Sequence, residues 1–249
     1  MNEPWRLDGQ VALVTGASSG LGERFAQLLD DAGAHVVATA RRPDRLGELA
    51  RRCRDLESIP GDIADASFRQ SLIGQVGDAH GRLDLLVNNA GTSDDGPIED
   101  QSLADLQRVV DVNLISVLDL CRLAAPLLFA APAARVLNVA SMFGVVASPG
   151  PMAGYNATKG ALVNLTRHLA AQWGARGVRV NALAPGYFPT EMTGHFADPH
   201  LERAIERRTL LGRTATIDEI DGPFLFLASS ASSYVTGHVL VVDGGWTAV

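Results

Sequence analysis

The chain has 249 residues, 47% of them apolar and 20% charged, with a net charge of −7. That balance suits a folded α/β unit with a large core, excludes an intrinsically disordered chain, and argues against nucleic acid as a partner. No stretch approaches ~18 uninterrupted apolar residues and the amino terminus lacks a signal-peptide core, so no membrane partner and a cytoplasmic location are expected.

Taken in chain order, strand-length runs rich in Val and Leu occur at 10–16, 34–40, 83–89, 134–140, 178–184 and 238–244. A weaker one at 56–62 is ended by Pro60 and Gly61. Their hydrophobicity is near-continuous rather than alternating, which predicts strands covered on both faces, as in a parallel sheet. Between them lie segments of helical spacing, such as "ERFAQLLDDAG", stopped at Gly33. The predicted class is α/β: a single-domain, doubly wound, Rossmann-type sheet of seven parallel strands with helices on both faces. The longest segment without a strand, about 187–237, predicts a substrate lid at about 187–215 over the carboxyl ends of the strands.

Cys53 and Cys121 have no CxxC spacing and read as ordinary thiols. The six histidines form no HExxH-like pattern, His195 and His200 being the nearest to a pair, so no metal site is expected.

The first strand runs into "LVTGASSGLGERF", where Gly16, Gly20 and Gly22 let backbone N–H groups and a helix N-terminus face an anion without an intervening Cβ. A dinucleotide pyrophosphate is the expected guest, and Ser18, Ser19 and Leu21 share the turn; the plain alternative is a flexible βα connection. The spacing is G-x-x-x-G-x-G rather than G-x-G-x-x-G. At the end of the second strand, "ATARRPD" has no carboxylate at Ala40 to bond a ribose 2′-hydroxyl. Arg41 and Arg42 follow at once, and a guanidinium fork suits a 2′-phosphate of roughly two negative charges. NADP(H) is therefore favoured over NAD(H), with Arg41 the stronger candidate. The alternative keeps both arginines solvated and swings Asp44 back to a hydroxyl.

The sequence contains one lysine, Lys159, four residues after Tyr155 in "AGYNATKGAL". On a helix, i and i+4 project from one face, so a phenol and an ammonium become neighbours. With unperturbed pKa values of about 10 and 10.4, neither is a good acid–base catalyst at neutral pH alone. A cation beside a phenol favours phenolate and is expected to lower the Tyr155 pKa toward a useful range. Ammonium is a compact charge with three donors, a role that a planar guanidinium does not fit.

These features, together with "NNAG" (88–91), Asn113 in "VVDVNLIS", Ser141 in "NVASMFG", "APGYFPT" (184–190) and the terminal "VVDGGW", resemble the short-chain dehydrogenase/reductase family nearly end to end. The glycine spacing is that family's own. The resemblance implies that Ser141 hydrogen-bonds the substrate oxygen, Tyr155 passes it a proton, Lys159 holds the nicotinamide ribose, and Asn113 anchors a water in the relay. It also implies that Asp62 and Ile63 contact adenine and that Asn89, Ala90 and Gly91 line the adenosine side. Pro185, Gly186, Phe188 and Thr190 complete the cofactor site, with Thr190 bonding the carboxamide. Each has a local alternative: Ser141 ending its strand, Asn113 an amide satisfied by backbone, Asp62 and Thr190 helix caps.

Phe143, Val145, Met152, Tyr187 and Met192, chiefly apolar, are expected to line the substrate pocket. The leading expectation is an NADP(H)-dependent reductase of a small ketone, or the reverse dehydrogenase. Alternatives are a 3-oxoacyl-thioester reductase, a sugar-acid dehydrogenase and a non-catalytic NADP sensor. The cluster Arg203, Arg207 and Arg208 reads as a solvated helix face. Leu114, Val117, Leu118, Val163 and Trp173 hint at helix burial between subunits, and resembling proteins form tetramers.

Overall fold

A computed structural model describes residues 4–196 and 198–249. Seven strands, β1 (Val11–Thr15), β2 (His35–Thr39), β3 (Leu56–Ser58), β4 (Leu85–Asn88), β5 (Arg135–Val139), β6 (Arg179–Pro185) and β7 (Val239–Val242), form one parallel sheet. Their order is β3-β2-β1-β4-β5-β6-β7. Every run expected from the sequence holds its strand, except that β6 runs one residue further, to Pro185. The helices are α1 (Gly20–Asp31), α2 (Pro43–Arg52), α3 (Ala66–His80), α4 (Leu103–Val110), α5 (Ser116–Ala130), α6 (Ala153–Trp173), α7 (Pro199–Arg208) and α8 (Asp221–Ala228).

Six of the seven strands feed two cores, because successive side chains leave a strand on opposite faces, while β3 contributes only Leu56, to the second. Val11, Leu13, Leu86, Val136, Val180 and Ala182 pack with α3, α5 and α6 residues such as Leu72, Leu120 and Leu162. Ala12, Val14, Leu85, Val87, Leu137 and Leu183 pack on the other face with α1, α2 and α8 residues such as Phe25, Leu46 and Phe224. Burial on both faces explains why the strands read as unbroken apolar runs.

Beyond the expected lid at about 187–215, the last part of segment 187–237 is core: in α8, Phe224 stacks on Phe25 with ring centroids 4.1 Å apart, and Leu227 and Ala228 are buried. Of the five residues expected between subunits, Val117, Val163 and Trp173 belong to this chain's own core, whereas Leu118 is 42% exposed. The run Leu103–Ala130 is long and apolar enough to cross a membrane by length and composition, yet its Val109, Val117, Leu120, Ala124 and Leu128 are buried among the protein's own residues. Both cysteines are free thiols, and burial pushes Cys121 up to about 12.

Strand order reverses between β1 and β4, each continuing to a different side of the sheet. In doubly wound sheets that switch point opens a crevice beyond the carboxyl ends of the strands.

Candidate active site

The crevice is a cleft of about 500 Å³, lined by the segments that leave β1, β2, β4, β5 and β6. Every residue expected at the cofactor, from Gly16 to Thr190, lines it, as do Ser141 and Met192. The turn after β1 is held open by steric necessity. Gly16 has φ +69°, and a Cβ on Gly22 would lie 2.3 Å from both the Asn89 side-chain nitrogen and the Gly16 carbonyl oxygen. The first turn of α1 begins at Ser19 with no side-chain cap, which leaves backbone N–H groups aimed at the cleft and suited to a pyrophosphate.

The two arginines after β2 differ. Arg42 Nη2 donates to the hydroxyls of Ser18 at 3.0 Å and Ser19 at 2.7 Å, and its Nη1 to Glu191 at 2.9 Å. Arg42 thus braces the glycine turn against the segment after β6. Arg41 is exposed at the cleft. Asp62 accepts the backbone N–H of Ala64 at 2.9 Å, while the cap of α3 is Asp65, which accepts from Ser67 N at 2.8 Å. Asp62 is therefore a cleft residue and not that helix's cap. Asp44 sits in the first turn of α2, away from the cleft lining.

Tyr155 and Lys159 lie one turn apart on α6, with Lys159 Nζ 5.5 Å from the phenol ring centroid. Lys159 is 4% exposed and donates to the Val139 carbonyl at the end of β5 at 2.7 Å. Burial brings its pKa down to about 8. The expected lowering of the Tyr155 pKa does not hold in this environment. Burial pushes it upward, a hydrogen bond with the Ser141 hydroxyl offsets part of the rise, nearby Tyr187 adds to it, and the net direction is up. The ammonium turns toward Val139, and desolvation of the phenolate outweighs what remains.

Asn113 is fully buried in a single π-helical turn, Asp111–Ile115, between α4 and α5. Its amide donates to Thr92 O at 2.8 Å and Thr158 Oγ1 at 3.1 Å, and its oxygen accepts Thr92 N–H at 2.8 Å. The alternative of an amide satisfied by protein groups describes these contacts, and Asn113 braces the strand end behind Lys159. Ser141 follows β5, and its Oγ accepts the N–H of Phe143 at 3.1 Å.

The expected substrate residues divide. Met192 lines the cofactor cleft, whereas Phe143, Val145 and Met152 line a separate depression, also about 500 Å³, with Ile98 and Asn156. Tyr187 lines neither and packs edge-on against Phe143 and Trp246, with centroids 6.0 and 5.2 Å away. Arg208 stacks its guanidinium 4.7 Å from the Trp246 ring centroid, so that member of the arginine cluster is not a simple solvated charge.

Two residues escaped the sequence reading. Asp94 is buried and accepts the N–H groups of Gly154 at 2.8 Å and Tyr155 at 2.7 Å. Burial raises its pKa, but these bonds and one from Gln101 carry it below the usual carboxylate value. It anchors the start of α6 from 60 residues away in sequence, a pairing without a local signal. Arg108 also lines the cleft and donates to Thr92 Oγ1 at 3.2 Å; as one charge on an amphipathic helix it carried no distinguishing pattern.

Comparison with known proteins agrees with this architecture. A family model described as enoyl-(acyl carrier protein) reductase matches residues 16–247. The chain is 35% identical to the rhamnolipids biosynthesis 3-oxoacyl-[acyl-carrier-protein] reductase of Pseudomonas aeruginosa, over 99% of each chain. It is 37% identical to gluconate 5-dehydrogenase of Gluconobacter oxydans, over 97% of this chain and 96% of the relative. A crystal structure of a gluconate 5-dehydrogenase from Burkholderia cenocepacia in complex with NADP and tartrate matches with a TM-score of 0.93 at 34% identity, covering 99% of this chain and 98% of that one. The chain belongs to the short-chain dehydrogenase/reductase family, oxidoreductases acting on CH–OH groups with a nicotinamide cofactor.

Proposed function

We propose that this protein is an NADP(H)-dependent reductase of a small ketone, or the reverse alcohol dehydrogenase, in which Tyr155 is the general acid and base. The observation that carries the proposal is the convergence of Ser141, Tyr155 and Lys159 on the cleft that also holds the glycine turn, with Tyr155 and Lys159 one helical turn apart on α6. When bound, the nicotinamide supplies or accepts the hydride at the substrate carbon. Ser141 donates to the substrate oxygen, and Tyr155 delivers the proton as negative charge builds there. Lys159 orients the nicotinamide ribose and keeps a positive charge beside the phenol. Asn113 and Asp94 position these groups from behind. A protonated Tyr155 can act as the acid of reduction, and its phenolate as the base of oxidation.

For the cofactor, NADP(H) over NAD(H) is supported by Arg41 exposed at the cleft, by the absence of a carboxylate at Ala40, and by the NADP in the Burkholderia relative. A second reading, a sugar-acid dehydrogenase, is favoured by Arg108 at the cleft, a cation suited to a substrate carboxylate, and by the gluconate dehydrogenases among the relatives. Following NADPH and NADH consumption with an aryl ketone, an acetoacetyl thioester and a keto-sugar acid separates the readings. Turnover of the aryl ketone with NADPH supports the proposal. Activity confined to the thioester or the sugar acid replaces the substrate assignment, and NADPH binding without any turnover points to a sensor.

A further inference from the structure

At the amino-terminal end of the sheet, opposite the cleft, three elements bring together side chains that lie far apart in sequence. His35 opens β2, Glu57 lies in the edge strand β3, and His80 ends α3. Their ligand atoms all fall within 4.8 Å of one another, with His35 Nε2 4.0 Å from a Glu57 carboxylate oxygen. His35 Nε2 and His80 Nε2 are both enclosed and without a hydrogen-bond partner. An enclosed imidazole nitrogen without a partner is costly, and two of them in one place call for a shared ligand.

We propose that His35, His80 and Glu57 form a binding site for a divalent transition metal of the zinc class, with two imidazole Nε2 atoms and one carboxylate oxygen as protein ligands and water completing the shell. The donor set is the nitrogen and oxygen mixture that zinc and its neighbours take. The second shell is also in place. His35 Nδ1 is 2.7 Å from Asp55 Oδ1, so Nδ1 carries the proton and Nε2 presents its lone pair, the arrangement by which a carboxylate orients a metal-binding histidine. His80 lies in the last turn of α3, where the helix carbonyls favour a cation. Tetrahedral zinc ligands sit about 3.4 Å apart for bonds of about 2.0–2.1 Å, so the three groups close by roughly an ångström. Glu57 is exposed on an edge strand and free to move inward. The bound ion would clamp the β2–β3 edge to the end of α3. No sequence pattern announces it, because His35 and His80 are 45 positions apart and Glu57 comes from a third element.

The test uses the full chain without a histidine tag, dialysed against chelator and titrated with Zn2+, with Co2+ as the spectroscopic probe. Expected are one saturable metal per chain, a Co2+ absorption band typical of low coordination, and a Tm that rises with Zn2+. His80→Ala and Glu57→Gln should each weaken binding at least about tenfold, and Asp55→Ala by about 10- to 100-fold. Absence of a saturable equivalent, or an affinity unchanged in a folded His80→Ala or Glu57→Gln variant, overturns the proposal. Glu57→Gln carries the decision should His80→Ala fail to fold, since Glu57 is exposed and its replacement leaves the packing intact.

Discussion

Replacing Lys159 by methionine removes a buried charge while keeping most of the side-chain volume. The ammonium is enclosed, and burial lowers its pKa from 10.5 to about 8. Each pKa unit corresponds to about 1.36 kcal/mol, so keeping the charge at pH 7 costs on the order of 3 kcal/mol. Methionine abolishes that cost but leaves the Val139 carbonyl without its donor, which is worth about 1–3 kcal/mol. The two effects leave the variant as stable as the parent or more stable by up to about 2 kcal/mol, and for a chain of this size Tm holds or rises by a few degrees. The pH dependence has a definite sign. Because the folded pKa lies below the unfolded one, the destabilisation is fully present below pH about 8. It fades as pH rises from there toward 10.5. Any stability advantage of the variant should therefore shrink across that window. Urea unfolding of both proteins at pH 7, 9 and 10 measures this, while turnover at pH 7 should fall by about 10²-fold or more. A variant that loses more than about 2 kcal/mol at pH 7, or a stability difference that ignores pH, would show the lysine to be structural and refute the reasoning.

Arg41→Ala should raise KM for NADPH about tenfold or more while leaving KM for NADH nearly unchanged, as steady-state kinetics with both cofactors will read, since the proposed contact to the 2′-phosphate would be lost. Gly22→Ala should abolish dinucleotide binding, because its Cβ meets the Asn89 side chain and the Gly16 carbonyl at 2.3 Å; fluorescence titration with NADPH checks it. Asp94→Ala removes the acceptor for two N–H groups at the start of α6. It should lower kcat more than it raises KM and reduce stability by about 1–2 kcal/mol in denaturant unfolding.

The sheet was legible because parallel strands buried on both faces must be apolar along their whole length, and Val, Leu and Ala stretches at β1, β2 and β4 to β7 say so directly. The cleft that collects the expected cofactor residues was legible for a related reason: most of its lining sits in short segments that leave strand carboxyl ends, and those segments carry local motifs. What escaped depends on side chains meeting from distant elements. Arg42 reads only as the weaker of two candidate phosphate ligands until its donors are seen bridging Ser18, Ser19 and Glu191. Tyr187 reads as a pocket residue, yet it packs with Trp246 from the chain's far end. Asn113 reads as mid-helix, whereas a π-helical turn at Asp111–Ile115 carries it inward. Proximity of Tyr155 to Lys159 was predicted from i, i+4 spacing, but the direction of the tyrosine's pKa was not, because spacing says nothing about desolvation.

The central claim is that the Tyr155 hydroxyl moves the proton in carbonyl reduction. Tyr155→Phe deletes that oxygen and little else. Single-turnover reduction of whichever substrate the panel identifies, measured beside NADPH affinity, tests the claim most directly. The account predicts a loss of about 10²- to 10⁴-fold in rate with NADPH affinity within a few-fold of the parent. A variant that retains its rate contradicts the claim.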